Sequence, residues 1–284
     1  MEEQYQNNSY HDYDYDYVDV PGHSVFNLEI VCWIVIVICL PLIIPAIYYL
    51  YSLVRHDHVA PIYVINLLIS DLIQLCCMAI RLGNTVLDLD FITFVIHIIG
   101  IMASICFMVC ISLERYLLIA WPLWYRFRRT VKVSVVVCVV VWVLALVLSV
   151  LPMFIGPQLI TVFLLLPFPV LIFSVVGIFK GLSAAISVSS EEKRRIVGAT
   201  ILVLLNYTLL FLPFIIWSIT THVHITYAFA FIFFNPLGDL VLYIFMRKGA
   251  IDKILASVCC CRMETQQQQI IAVNDNNMTT VSSV

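Results

Sequence analysis

Two stretches of this chain contain no Asp, Glu, Lys or Arg: Val133–Phe179, 47 residues long, and Ile196–Gly238, 43 residues long. Each has room for two membrane spans of about 20 residues with a tight turn between them. Composition agrees. Of the 284 residues 62% are hydrophobic and 12% charged, against about 45–50% and about 25% in soluble domains. A soluble fold of this size could not hide that much apolar surface, so the chain is read as an integral, multi-pass membrane protein. A single-pass receptor is excluded, and no stretch outside the membrane is long enough for a soluble catalytic domain.

Apolar runs at residues 29–54, 60–82, 91–118, 132–153, 159–181, 196–220 and 225–246 predict seven helices. They are too long for strands, and in lipid a backbone must satisfy its own hydrogen bonds. The expected fold is an all-α, seven-transmembrane bundle over 29–246, preceded by a tail (1–28). An amphipathic interfacial helix (247–258) and a polar tail (259–284) follow it. Pro41, Pro45, Pro152, Pro167, Pro169, Pro213 and Pro236 lie within or at the ends of these runs, where neighbouring helices can satisfy the freed carbonyls.

Fourteen of the fifteen basic residues fall on one side, Arg81 being the exception. The positive-inside rule then puts the N-terminus outside and the C-terminus in the cytosol. Residues 1–28 lack the basic start and apolar core of a secretory signal, so the tail is expected to follow the first span across the membrane. It carries the sequon Asn7-Asn8-Ser9, a glycosylation candidate at Asn7. Aspartates alternate with tyrosines over residues 12–17, which makes Tyr10, Tyr13, Tyr15 and Tyr17 sulfation candidates able to hold a basic peptide. A plain solvated acidic tail is the alternative. At the other end, Ile251, Ile254, Leu255 and Val258 form one apolar face, and Cys259, Cys260 and Cys261 follow as palmitoylation candidates. The ending Ser282-Ser283-Val284 fits a PDZ ligand through Ser282 and Val284.

Ionisable groups inside lipid are functional candidates by default. Asp71 lies in the second span within Asn66-Leu67-Leu68-Ile69-Ser70-Asp71, and Asp239 in the seventh within Asp239-Leu240-Val241-Leu242-Tyr243. The third span ends in Glu114-Arg115-Tyr116, with Pro122-Leu123 beyond it; the fourth carries Trp142 and the sixth Pro213. In this order and on these spans the set resembles the rhodopsin-like (class A) G-protein-coupled receptors, over residues 29–261.

The resemblance implies a receptor that passes an extracellular signal to a heterotrimeric G protein at the plasma membrane. Arrestin and a PDZ-domain protein are further cytosolic partners, and no enzyme activity or nucleic-acid partner is expected. Glu114, Arg115, Tyr116 and Tyr243 would form the activation switch, with Arg115 held by Glu114 until the sixth helix swings out. Asp71, Ser104, Asn235 and Asp239 would form a sodium or proton site. Two carboxylates at mid-membrane cannot comfortably both ionise without a cation or a shared proton. No other cofactor is implied. A hydrogen-bonded network without an ion is the alternative.

The chain departs from the family pattern in several places. Asp90 stands where the third helix would carry a disulfide cysteine, and all ten cysteines lie within spans or the last tail, so no disulfide is read. Ile43 or Ile44 stands for the first-helix Asn, Phe211 for the sixth-helix toggle Trp, and Leu240 for the seventh-helix Pro; Val175 or Gly177 stands for the fifth-helix Tyr. The Asp-type seventh-helix motif is similar to the branch of nucleotide, lipid-mediator and proton-sensing receptors. The short second outer loop without a disulfide resembles the Mas-related group.

His97 lies eighteen residues before Arg115, about 27 Å along the same helix face. With Arg81 above and Phe211 and Trp217 around it, the expected pocket suits an anionic, lipid-like ligand. Ordinary packing of His97, and an ion pair of Arg81 with Asp88, Asp90 or Glu29, are the duller alternatives. Competing functions are a non-signalling decoy or heterodimer partner, a proton sensor using His11, His23, His222 and His224, or a peptide sensor. A transporter would show internal repeats or broken half-helices, and an intramembrane aspartyl protease would need Gly-x-Gly-Asp where this chain has Pro236-Leu237-Gly238-Asp239.

Overall fold

The computed structural model describes residues 22–55, 62–83, 87–121, 125, 130–156, 158–184, 190–220 and 230–246. Eight helices account for nearly all of them: α1 (Gly22–Arg55), α2 (Ile62–Gly83), α3 (Leu87–Ala120), α4 (Val131–Ile155), α5 (Gln158–Leu165), α6 (Pro167–Ala184), α7 (Ser190–Thr220) and α8 (Asn235–Met246). There is no strand among the described residues. Among the described residues six segments are long and apolar enough to cross a membrane, α5 and α6 together making one of them, and α8 is a shorter apolar helix. Where described, the expected spans are therefore helical except at Leu166 of the fifth and Phe234 of the seventh. The expected tails and the interfacial helix lie outside the described residues.

Packing follows the apolar pattern. Because lipid is as apolar as leucine, helices associate through close van der Waals fit and polar contacts. Within its membrane window α3 is 61% buried by other helices, against 28% for α4, which puts α3 in the middle and α4 at the rim. Around it the contacts close a ring: α1 on α2 and α8, α4 on α5, α6 on α7, and α7 on α8, with α3 touching α2, α4, α6 and α7. The outer face of α4 is a run of exposed valines, among them Val136, Val139 and Val143, as expected of a lipid-facing surface.

Helix ends and breaks have local causes. Thr130 caps α4, its hydroxyl accepting from the Val133 backbone N–H at 3.3 Å. Gly156 ends the helix at φ 144°, a backbone region open to glycine, and its N–H closes on the Pro152 carbonyl at 2.9 Å. The fifth span breaks at Leu166, because Pro167 and Pro169 supply no N–H for the preceding turn. Tyr207 of α7 reaches into that break and donates its hydroxyl to the Leu164 carbonyl at 2.5 Å. Its ring lies edge-on to Phe168 at 4.9 Å and tilted against Phe211 at 4.8 Å. The seventh span breaks in the same way: residues 230–233 are helical, Phe234 forms a turn, and α8 starts at Asn235-Pro236. The continuous helices expected for 159–181 and 225–246 are thus each two pieces, and in both the proline is the reason.

Candidate functional site

The residues that match the family motifs sit where helices cross. On α2, the Asn66 amide donates to Cys138 Sγ at 3.3 Å and its oxygen accepts from Trp142 Nε1 at 3.1 Å, tying α2 to α4. Trp142 meets Phe107 of α3 edge-on at 5.9 Å. Glu114 is buried and Arg115 and Tyr116 half-buried at one end of α3, and Tyr243 is buried on α8. Glu114, Arg115 and Tyr243 are all engaged by neighbours.

One turn further into the membrane than the Asn66 tie begins a continuous polar network at the centre of the bundle. Gln74 Nε2 donates to Asp71 Oδ1 at 3.3 Å, and Asn235 Nδ2 donates to Ser104 Oγ at 2.9 Å and to Gln74 Oε1 at 3.4 Å. Ser104 Oγ donates to Asp239 Oδ2 at 2.6 Å, and Asn206 Nδ2 to Asp239 Oδ1 at 3.0 Å. The network joins α2, α3, α7 and α8, and Asp71, Gln74, Ser104, Asn235 and Asp239 are completely enclosed. The two carboxyls lie near enough to influence one another directly. Buried polar atoms are nearly always paired, yet Asp71 Oδ2 and Asn235 Oδ1 have no hydrogen-bond partner among the described residues.

All four residues expected for a cation or proton site are therefore brought together. Two members were not anticipated: Gln74 and Asn206. Gln74 falls three residues after Asp71, hence on the same helix face. Asn206 is, with Asn235, one of two amides in the charge-free stretch Ile196–Gly238, where a polar side chain has to find a partner. The seventh-helix break serves the same network. The helix runs unbroken past Leu240, where the family has proline. Its kink is one turn earlier, at Phe234–Pro236, and so frees Asn235 at the end of a helix to face Ser104 and Gln74. Gly238 completes the fit, since a Cβ there would collide with the Asn206 side chain.

The expected ligand residues are spread over several walls. His97 is buried on α3 with its ring 5.6 Å from that of Phe233, and neither ring nitrogen has a hydrogen-bond partner among the described residues. Arg81 is exposed, its guanidinium 5.6 Å above the Phe94 ring. Phe211 is completely enclosed under Tyr207, and Trp217 is half-buried higher on α7. The seven described cysteines, Cys32, Cys39, Cys76, Cys77, Cys106, Cys110 and Cys138, are free. Asn7, the tail tyrosines, Cys259–Cys261 and the Ser282–Val284 ending lie outside the described residues.

Sequence comparison points the same way as the motifs. Residues 46–161, covering α2 to α4 with the Asn66, Asp71 and Glu114-Arg115-Tyr116 signatures, match the family model of the 7 transmembrane receptor (rhodopsin family). The chain is similar to "Mas-related G-protein coupled receptor member B4" of Mus musculus, 33% identical over 98 residues, which is 33% of this chain and 30% of that protein. It is also similar to "Mas-related G-protein coupled receptor member X2" of Pongo pygmaeus, 37% identical over 98 residues, 32% of this chain and 30% of that protein. The matched segment spans less than a third of either relative's length. By their names these relatives are receptors and not enzymes. With the helical bundle and the ordered motifs, the match makes residues 46–161 similar to the rhodopsin family of seven-transmembrane receptors.

Proposed function

We propose that the chain is a plasma-membrane receptor, N-terminus outside and C-terminus in the cytosol, that converts an extracellular ligand into activation of a heterotrimeric G protein. The observation that carries this reading is the enclosed network through Asp71, Gln74, Ser104, Asn206, Asn235 and Asp239. It connects four helices at mid-membrane, and it includes α7, whose outward swing would open a cleft for a partner beside Arg115. A network with two carboxyls and two unpartnered oxygens can be satisfied in two ways, and a bistable core is what a ligand-biased switch needs.

The same atoms fit a sodium ion. Asp71 Oδ2 and Asn235 Oδ1 are oxygen donors without partners, the Ser104 hydroxyl and the Asp239 carboxyl lie beside them, and hard cations take oxygen ligands. Bound there, the ion would supply one positive charge against two acidic groups. A single shared proton is the alternative occupant. On the ligand side, the two unpartnered nitrogens of His97 and the exposed cation of Arg81 support an anionic, lipid-like ligand.

The test is G-protein dissociation in cells that display the chain at their surface. Wild type drives a constitutive or ligand-dependent signal, and Arg115→Ala lowers it by about tenfold or more without loss of surface protein. Silence of the wild type with every G protein, at normal surface level, defeats the signalling reading and leaves the decoy or heterodimer partner. For the ligand, binding of an acidic lipid is expected to fall with Arg81→Ala or His97→Ala and to survive deletion of residues 1–28. Loss on tail deletion alone would assign recognition to the acidic, tyrosine-rich tail and a basic peptide instead.

A further inference from the structure

At the Arg115 end of the bundle, on its outer side, α3 and α6 part to leave a cleft of about 470 Å³. Tyr116 and Ala120 line it from α3, and Phe173, Val176, Gly177 and Lys180 from α6. The cleft has a local origin. Gly177 and Gly181 stand one turn apart against α3. A Cβ on the first would collide with the Tyr116 ring, and one on the second would lie 2.7 Å from Ile119 Cγ2. Small residues at this spacing let two helices ride close together in a membrane. Tyr116 settles into the hollow, edge-on to Phe173 at 5.2 Å, and the groove opens along the flank of that contact.

We propose that this cleft is a binding site for an anionic phospholipid of the cytosolic leaflet, with Lys180 on the phosphate and an acyl chain against Phe173, Val176 and Gly177. Phe173 and Val176 are exposed, and an exposed apolar face within a span faces lipid. Lys180 is exposed four residues before the end of α6. There its stem can cover apolar surface while the ammonium group reaches the headgroups. Among the described residues the lining holds this one cation and no carboxylate, which favours an acidic headgroup over a neutral one or a sterol. The same end carries the Lys193-Arg194-Arg195 run of α7, so acidic lipids are concentrated around it. An acyl chain in the groove would lie against Tyr116, the residue after Arg115, and the charge of the leaflet would be felt at the switch.

The assignment to the cytosolic leaflet rests on the proposed orientation; binding itself does not. The test therefore uses the full chain in nanodiscs whose two leaflets are identical, made of phosphatidylcholine with a minor share of phosphatidylserine, read by native mass spectrometry of retained lipid. Wild type is expected to retain phosphatidylserine above its share in the disc. Lys180→Gln lowers that preference by about fivefold, and Lys132→Gln, outside the cleft, leaves it unchanged. Ala120→Phe, which fills the groove from the α3 side, lowers it with Lys180 in place. Equal retention of the two lipids by wild type, an undiminished preference in Lys180→Gln, or displacement of phosphatidylserine by added cholesterol each overturns the proposal. A silent G-protein assay leaves this result standing, and failure here leaves the receptor reading standing.

Discussion

Asp239→Ala is expected to lower the unfolding temperature of the purified protein by about 6–12 °C. The side chain accepts from Ser104 at 2.6 Å and from Asn206 at 3.0 Å, and alanine leaves both donors buried without an acceptor. Each such loss costs about 1–3 kcal/mol, and relief of the nearby Asp71 carboxyl offsets part of it. A net loss of about 3 kcal/mol corresponds to the stated shift for a chain of this size. Asp239→Asn retains one acceptor oxygen and should lose about a third as much. An ordinary neutral hydrogen bond between membrane helices contributes only about 0.6 kcal/mol on average. A shift of 1–2 °C or less would therefore show that the network does not hold the bundle together. The same assay tests the cation. Replacing sodium by choline at constant ionic strength should cost wild type about 1.4 kcal/mol, or about 3–6 °C, at a tenfold excess over the dissociation constant. Asp71→Asn and Asp239→Asn should not respond. Equal response of all three proteins would leave a proton, and no ion, in the network.

Gly238→Val should be as damaging by a different route. No hydrogen-bonding group is removed, yet the new Cβ would overlap the Asn206 amide. Either α8 moves away from α7 or Asn206 abandons Asp239. Overpacking of a close-packed interior costs about 1–3 kcal/mol, and loss of the Asn206 bond to a carboxylate adds about 1.5–3 kcal/mol. Thermal unfolding should show a loss of at least 6 °C. The double variant Gly238→Val with Asn206→Ala should recover part of it, because truncating Asn206 removes the collision. Sub-additive loss in that pair identifies the contact; simple addition of the two losses would show that Gly238 acts elsewhere.

Much of the bundle was readable from the sequence, because bilayer thickness converts apolar run length directly into helix count. Asp71 and Asp239 could be named because ionisable groups in lipid are few and costly, whereas Ser104 and Asn235 came with the family resemblance. Gln74 and Asn206 escaped for want of charge, an amide in a span being a weak signal by itself. The two broken helices were also beyond reach. Prolines were visible at 167, 169 and 236, but whether a proline bends a helix or divides it depends on what satisfies the freed carbonyl. At the fifth-span break the neighbour is Tyr207, more than forty residues away in the chain, which donates to the Leu164 carbonyl between the Phe163 and Leu165 carbonyls that Pro167 and Pro169 free.

The sequence by itself determined that the chain crosses the membrane repeatedly, which end carries the basic residues, and which motifs resemble those of the rhodopsin-like receptors. Those properties depend on composition and local spacing. Only the tertiary structure decided that the seventh-helix kink sits one turn early and turns Asn235 into the network. It alone showed that Gly238 makes room for Asn206, and that Gly177 and Gly181 open a cleft beside Tyr116. Each of these turns on a distance between helices, and that distance is set by side-chain volumes at crossing points that no periodicity along one helix records.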